Sequence, residues 1–206
     1  MSAQFRGGFN PNGRPRVDRF CGAQSLGSTR CTVMATLGRL AYCTREKSMS
    51  RVVPVRYEDG RPMLFAGIRR THTFASMRTD IPRQWGEFEK LGKLPGRVGT
   101  TAYGAICGGD PKTQTMEYMC AVEVKSFDAV PQDLGRMRVP AARYAVFLHE
   151  GNVRTIQETW KQVFRWLPKS GMQSNETPDF EVYDERFDPA TGEGVVEIWL
   201  GVKPAN

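Results

Sequence analysis

The chain has 206 residues, 40% of them apolar and 25% charged, the balance of an ordinary soluble globular protein, and no apolar run approaches the roughly 18 residues that a membrane-spanning helix needs. Its net charge of +7 invites a nucleic-acid partner. However, the first 48 residues hold Arg6, Arg14, Arg16, Arg19, Arg30, Arg39, Arg45 and Lys47 against only Asp18 and Glu46. The remainder is nearly neutral, so a nucleic-acid reading rests on that segment alone, and no specific nucleic-acid binding by the folded part is expected.

Cys21, Cys31, Cys43, Cys107 and Cys120 form no CxxC pair, and His72 and His149 are the only histidines. Zinc ligands cluster at short spacings, and these do not. We therefore expect no metal, no cofactor, and reduced thiols in a cytoplasmic protein.

Residues 1–49 are rich in Gly, Pro, Asn and Arg and show neither helical nor strand period. Such a segment buries too little apolar surface to offset its ordering entropy, so a disordered basic extension is predicted. A basic arm and an Arg-rich targeting peptide are alternatives. Translation from Met49 is favoured over a functional arm, because patterned sequence begins immediately after it. The predicted domain is 50–206.

The stretch from Arg51 to Arg70 alternates apolar and polar residues around Asp59-Gly60 and predicts two strands. Ile81, Trp85, Phe88 and Leu91 then fall on one helical face, with Thr79 or Asp80 as cap, Pro82 in the first turn and Gly92 as closure. Strands follow over 101–107 and 116–125. In the second half a strand over 142–151, ending near His149, precedes a helix with Ile156, Trp160, Val163, Phe164 and Leu167 on one face, stopped by Pro168. Strands over 178–184 and 194–203 complete the chain.

Each half thus reads strand–helix–strand–strand, with Ile81 and Trp85 matching Ile156 and Trp160. The predicted class is α+β: duplicated βαββ units with pseudo-two-fold symmetry, forming an antiparallel sheet with both helices on one face and a ligand groove on the other. Alternation along the last strand sends Val196, Ile198, Leu200 and Val202 to the helices and Glu197 and Trp199 to the groove. In the preceding strand Phe180 and Val182 are assigned to the helix side, and Glu181 and Tyr183 to the groove. Tyr103 and Ala105 are assigned to the groove from the first half. Trp160 and Trp166 are expected in the core, while Trp85 flanks the groove.

The segments "RYAVFLHEG", "TWKQVFRWLPKSG", "PDFEVYD" and "VVEIWLGVK", in this order and spacing, resemble the GyrI-like family of effector-binding domains found on AraC-type and MerR-type regulators and as stand-alone proteins. The resemblance implies a βαββ repeat with a groove for amphipathic, cationic or aromatic molecules, and a central glutamate ringed by Tyr and Trp. Glu181 and Tyr183 in "FEVY", and Glu197 and Trp199 in "VEIW", match that pattern. Gly201 stands where the family carries Pro, which is expected to loosen that edge. An AraC-type DNA-binding region of two helix-turn-helix units does not fit in the residues before the domain, so direct transcription-factor activity is not expected.

The candidate ligand-binding residues are therefore Glu197, Glu181, Trp199, Tyr183, Tyr103 and Trp85. A carboxylate walled by aromatic rings is partly desolvated, and an organic cation relieves that cost while stacking on the rings. A small xenobiotic-like molecule is the expected partner, with no membrane. The alternatives are a hydrolase of strained electrophiles, with Glu197 as general acid or base and Tyr144 or Tyr103 assisting, and a protein-binding inhibitor of DNA gyrase.

Overall fold

The computed structural model describes residues 52–205; the expectations for the basic extension lie outside them. The strands are β1 (Arg56–Gly60), β2 (Met63–Thr73), β3 (Arg97–Asp110), β4 (Thr115–Val124), β5 (Gly135–Val139), β6 (Ala142–Asn152), β7 (Met172–Ser174), β8 (Asp179–Tyr183), β9 (Phe187–Asp188) and β10 (Glu193–Pro204). Helix α1 (Met77–Glu89) lies between β2 and β3, and α2 (Ile156–Trp166) between β6 and β7. The sheet is antiparallel in the order β1-β6-β10-β8-β3-β4-β2-β5, with β7 and β9 added to β10. It curls into a half-barrel accompanied by the two helices.

Local chemistry sets the helix limits. Helix α1 begins at Met77, before the predicted caps, and Ser76 at its N-cap makes no side-chain capping bond. It closes where Gly92 takes φ +67°, a conformation that costs glycine little. Pro168 follows α2 in a short 3-10 turn, Leu167–Lys169, because it cannot extend the helix. Leu91 and Phe164, assigned to the apolar helix faces, are instead exposed. His149, near the end of β6, is buried. Its ring lies 2.8 Å from Thr159 Oγ1 and 3.1 Å from the Asn152 carbonyl oxygen, tying β6 to α2.

Both faces of the sheet are covered. On one, Ala66, Tyr118, Cys120 and Val122 pack with Phe88 of α1, and Ala145, Phe147, Val196, Ile198 and Leu200 pack with Ile156, Trp160 and Val163 of α2. On the other, the curl of the sheet brings Phe65, Met119, Met137, Tyr144, Val146 and Phe180 into a second core, joined by Tyr103 and Trp199. The face expected to be an open groove is therefore filled. Tyr103 stacks on Phe65 at 4.4 Å and Trp199 on Phe180 at 5.3 Å.

This second core corrects the assignment of β8. Directly opposed residues of an antiparallel pair share a face, and β8 pairs Glu181 with Ile198 and Phe180 with Trp199. Glu181 and Tyr183 thus lie on the helix side, while Phe180 and Val182 lie on the other. An apolar side chain marks the helix face only when the opposite face is wet, and here neither face is.

Gly201 also differs from expectation. It is buried, and its N–H donates to Asp179 Oδ1 at 2.8 Å. A proline has no N–H to give, so glycine fixes this edge rather than loosening it.

Candidate functional site

A cavity of about 1620 Å³ lies on the helix face, flanked by α1 and α2 and floored by β3, β4 and β8. It exceeds the roughly 300–1,000 Å³ usual for small-molecule pockets. The sides of α1 and α2 that reach it carry Ile81, Trp85 and Phe88 from the first, and Ile156, Trp160 and Phe164 from the second. Trp85 meets Tyr183 at 5.0 Å and Phe88 at 5.7 Å, edge to face, and Phe164 stacks on Trp160 at 5.3 Å. The helix starts are joined across it by Arg78, whose Nε donates to Gln157 Oε1 at 2.9 Å and whose Nη2 donates to Glu158 Oε1 at 3.2 Å.

Glu181 lies at the floor and is only 4% exposed. Its carboxylate accepts three hydrogen bonds: from Tyr118 Oη at 2.6 Å, from Tyr183 Oη at 2.9 Å and from Trp160 Nε1 at 2.7 Å. Trp85 Nε1 donates in turn to Tyr118 Oη at 3.2 Å. Every donor is neutral, and no salt bridge to Glu181 occurs among the described residues. Burial pushes its carboxyl above the usual carboxylate range, against the opposing pull of the three donors. Burial also raises the hydroxyls of Tyr118 and Tyr183 well above their ordinary value, and the carboxylate beside them adds to it. They therefore stay protonated and keep donating. Gly104, opposite Glu181 on β3, makes the arrangement possible: a Cβ there would run into Tyr118 Oη and Glu181 Oε2.

Glu197 is held otherwise. It is 7% exposed on the opposite face, where Arg56 grips it with two bonds, Nη1 to Oε1 at 3.0 Å and Nη2 to Oε2 at 2.7 Å. Arg186 Nη2 donates to Oε1 at 2.8 Å and Trp199 Nε1 to Oε2 at 2.9 Å. Burial alone would raise its pKa; the bonds from Arg56, Arg186 and Trp199 outweigh that and hold it at about 2. Arg56 and Arg186 bind further carboxylates, Glu58 and Asp184. Tyr144 is fully buried on this face among Phe180 and Trp199, with its hydroxyl unpartnered among the described residues.

Of the candidate ligand residues, then, Glu181, Tyr183 and Trp85 line one cavity, while Glu197, Trp199 and Tyr103 belong to the other face. Sequence reasoning missed Tyr118, Trp160 and Phe164. Tyr118 could have been found, because it alternates with Cys120 and Val122 on the helix side of β4. Trp160 sits on an apolar helix face, where tryptophan ordinarily reads as core, and only its buried Nε1–H, which needs an acceptor, hints at more. Among the described residues no cluster of His, Cys, Asp and Glu could hold a metal.

The model of the GyrI-like small molecule binding domain matches residues 54–203. The chain belongs to this family. The GyrI-like chain is 33% identical over 124 residues to the transcriptional regulator BrlR of Pseudomonas aeruginosa, a match covering 59% of this chain and 43% of BrlR. It thus spans less than half the length of that relative. Among solved structures, the fold is similar to SAV2435 bound to tetraphenylphosphonium (TM-score 0.58, 20% identity), covering 72% of this chain and 93% of that one. It is also similar to a putative bacterial transcription regulation protein from Staphylococcus aureus MU50 (TM-score 0.55, 21% identity), covering 72% and 97%. No helix among the described residues is long and apolar enough to cross a membrane.

Proposed function

We propose that this GyrI-like chain binds amphipathic organic cations between α1 and α2, with Glu181 as the charge partner and Trp85, Tyr183, Trp160 and Phe164 as walls. One observation carries the proposal: Glu181 is buried among neutral donors only, so its negative charge has no cation inside the described fold. Burying an unpaired charge is costly. A ligand cation offsets part of that cost and gains about 0.5–2 kcal/mol for each aromatic face it covers. SAV2435, a similar fold, is bound to tetraphenylphosphonium, a cation of the kind such a cavity would take.

The strands of the two halves enter the sheet in mirrored order, β6-β10-β8 against β2-β4-β3. We read this as the mark of a duplicated βαββ unit spanning 50–206, with the cavity over the β8–β3 seam. A cytoplasmic location and a small-molecule partner, rather than a specific nucleic acid, belong to the same proposal. Glu197, which its arginines hold at about 2, is too weak a base, and has no proton to give near neutral pH, to serve a hydrolysis as general base or acid.

Calorimetric titration with tetraphenylphosphonium provides the test. Glu181→Gln keeps the shape and removes the charge, and should weaken binding by about tenfold or more. Wild-type affinity should fall as pH drops through the raised pKa of Glu181, because the protonated acid no longer attracts the cation, and the variant should show no such fall. Equal affinity in both proteins at neutral pH refutes Glu181 as the charge partner.

A further inference from the structure

Of the charged side chains that line the cavity with Glu181, Arg97 is one that the cation reading does not use. Arg97 opens β3, lines the cavity and is half-buried. No carboxylate pairs with it among the described residues, in contrast to Arg78 and Lys161 on the same rim, both taken by Glu158. Its acceptors are backbone carbonyls only: Nη2 donates to Thr100, and at 3.5 Å to Thr101. A guanidinium carries five donors in a fixed fork; Nε is shut away from solvent without an acceptor, and Nη1 makes no hydrogen bond among the described residues. The fold therefore leaves a cavity-lining guanidinium with an unused Nη1, as it leaves an anion without a cation at the floor.

The spacing follows from β3. Its carbonyls at Thr100 and Thr101 fix the Arg97 guanidinium, and Gly104 lies opposite Glu181. Three residue steps of extended backbone lead from Thr101 to Gly104, roughly 10 Å. A cavity of about 1620 Å³ has room to span both groups, being larger than one compact cation requires.

We propose that Arg97 is a specificity-determining residue: the preferred ligands carry a carboxylate or carbonyl acceptor roughly 10 Å from their cationic centre, the cation on Glu181 and the acceptor on Arg97. This rests on the cation-binding reading above. Arg154, also on the rim, is exposed and pays no burial cost that a ligand could relieve.

The test is calorimetric titration with octyltriphenylphosphonium and with (7-carboxyheptyl)triphenylphosphonium, whose extended chain carries its carboxylate to about the required distance. The ratio of the two affinities cancels the contribution of the shared cation. That ratio should favour the carboxylate in the wild type and fall about tenfold in Arg97→Met, the loss of one charge-assisted pair. Arg97→Lys, which keeps the charge, should retain the preference. A ratio that survives Arg97→Met, or that falls only in Arg154→Met, overturns the proposal. If the octyl compound binds through Glu181 but the wild type shows no carboxylate preference, Arg97 alone is refuted. If neither compound binds the wild type, the cation reading falls and this one with it.

Discussion

Replacing Glu197 by Gln removes the charge that Arg56 and Arg186 share while preserving the shape of the side chain. The carboxyl is held at about 2, against about 4.3 for a free glutamate, a difference that corresponds to about 3 kcal/mol. Arg56 and Arg186 are about 40% exposed, so water screens part of this, and about 1–2 kcal/mol is the better expectation. The sign follows from the depressed pKa. The stabilisation is present above the unfolded-state value and is lost as pH falls through the folded-state value. The difference between wild type and Glu197→Gln should therefore be full at pH 7, shrink below about pH 4.5 and vanish near pH 2. Urea unfolding at pH 7, 4 and 3 measures it. Tetraphenylphosphonium affinity at pH 7 should be unchanged, since Glu197 lies across the sheet from the cavity. Unaltered stability combined with lost cation affinity would refute the assignment of Glu197 to the scaffold.

Two further substitutions separate the faces. Gly104→Ala drives a methyl group into the Tyr118–Glu181 pair; it should cost about 1–3 kcal/mol in denaturant unfolding through overpacking, and a calorimetric titration should show weakened cation binding. Phe180→Ala removes the ring that touches Phe65, Tyr144 and Trp199; it should cost about 3–5 kcal/mol, and residual cation binding below the melting transition should persist, because Phe180 does not line the cavity.

The order of elements was legible because each rests on a local signal. Ile81, Trp85 and Phe88 mark α1, Pro168 ends the α2 region, and alternation in β10 places Val196, Ile198 and Leu200 against α2. The face of β8 was not legible. Its "DFEVY" alternates clearly, but which phase meets the helices depends on pairing with β10 and on the curl that buries the opposite side. Both are long-range facts. A one-residue slip in phase exchanges the faces of every side chain, which is why Phe180 and Glu181 changed places together. Tyr103 and Trp199 illustrate the same point: an aromatic on the helix-free face signals a binding wall only if that face is open, and here each has a ring to stack on. The β5 strand, Gly135–Val139, went unassigned because "GRMRV" has too little apolar content to stand out, although Met137 and Val139 help close the second core.

The two glutamates, one residue type sixteen positions apart, are set by one fold in opposite electrostatic surroundings. Both are nearly inaccessible to water, so exposure cannot distinguish them. Their partners can. Glu197 meets two guanidiniums, and its charge is cancelled within the chain before any ligand arrives; a second cation would find little to attract it. Glu181 meets two hydroxyls and an indole N–H, which satisfy its lone pairs without neutralising its charge. The field of that charge reaches into the cavity, and the donors hold the carboxylate in one orientation before binding. A preorganised, unneutralised carboxylate gains most from an incoming cation, because little ordering entropy remains to be lost when it arrives. Neutral donors around a buried carboxylate thus leave a charge that an incoming cation can answer, and guanidiniums around one leave none.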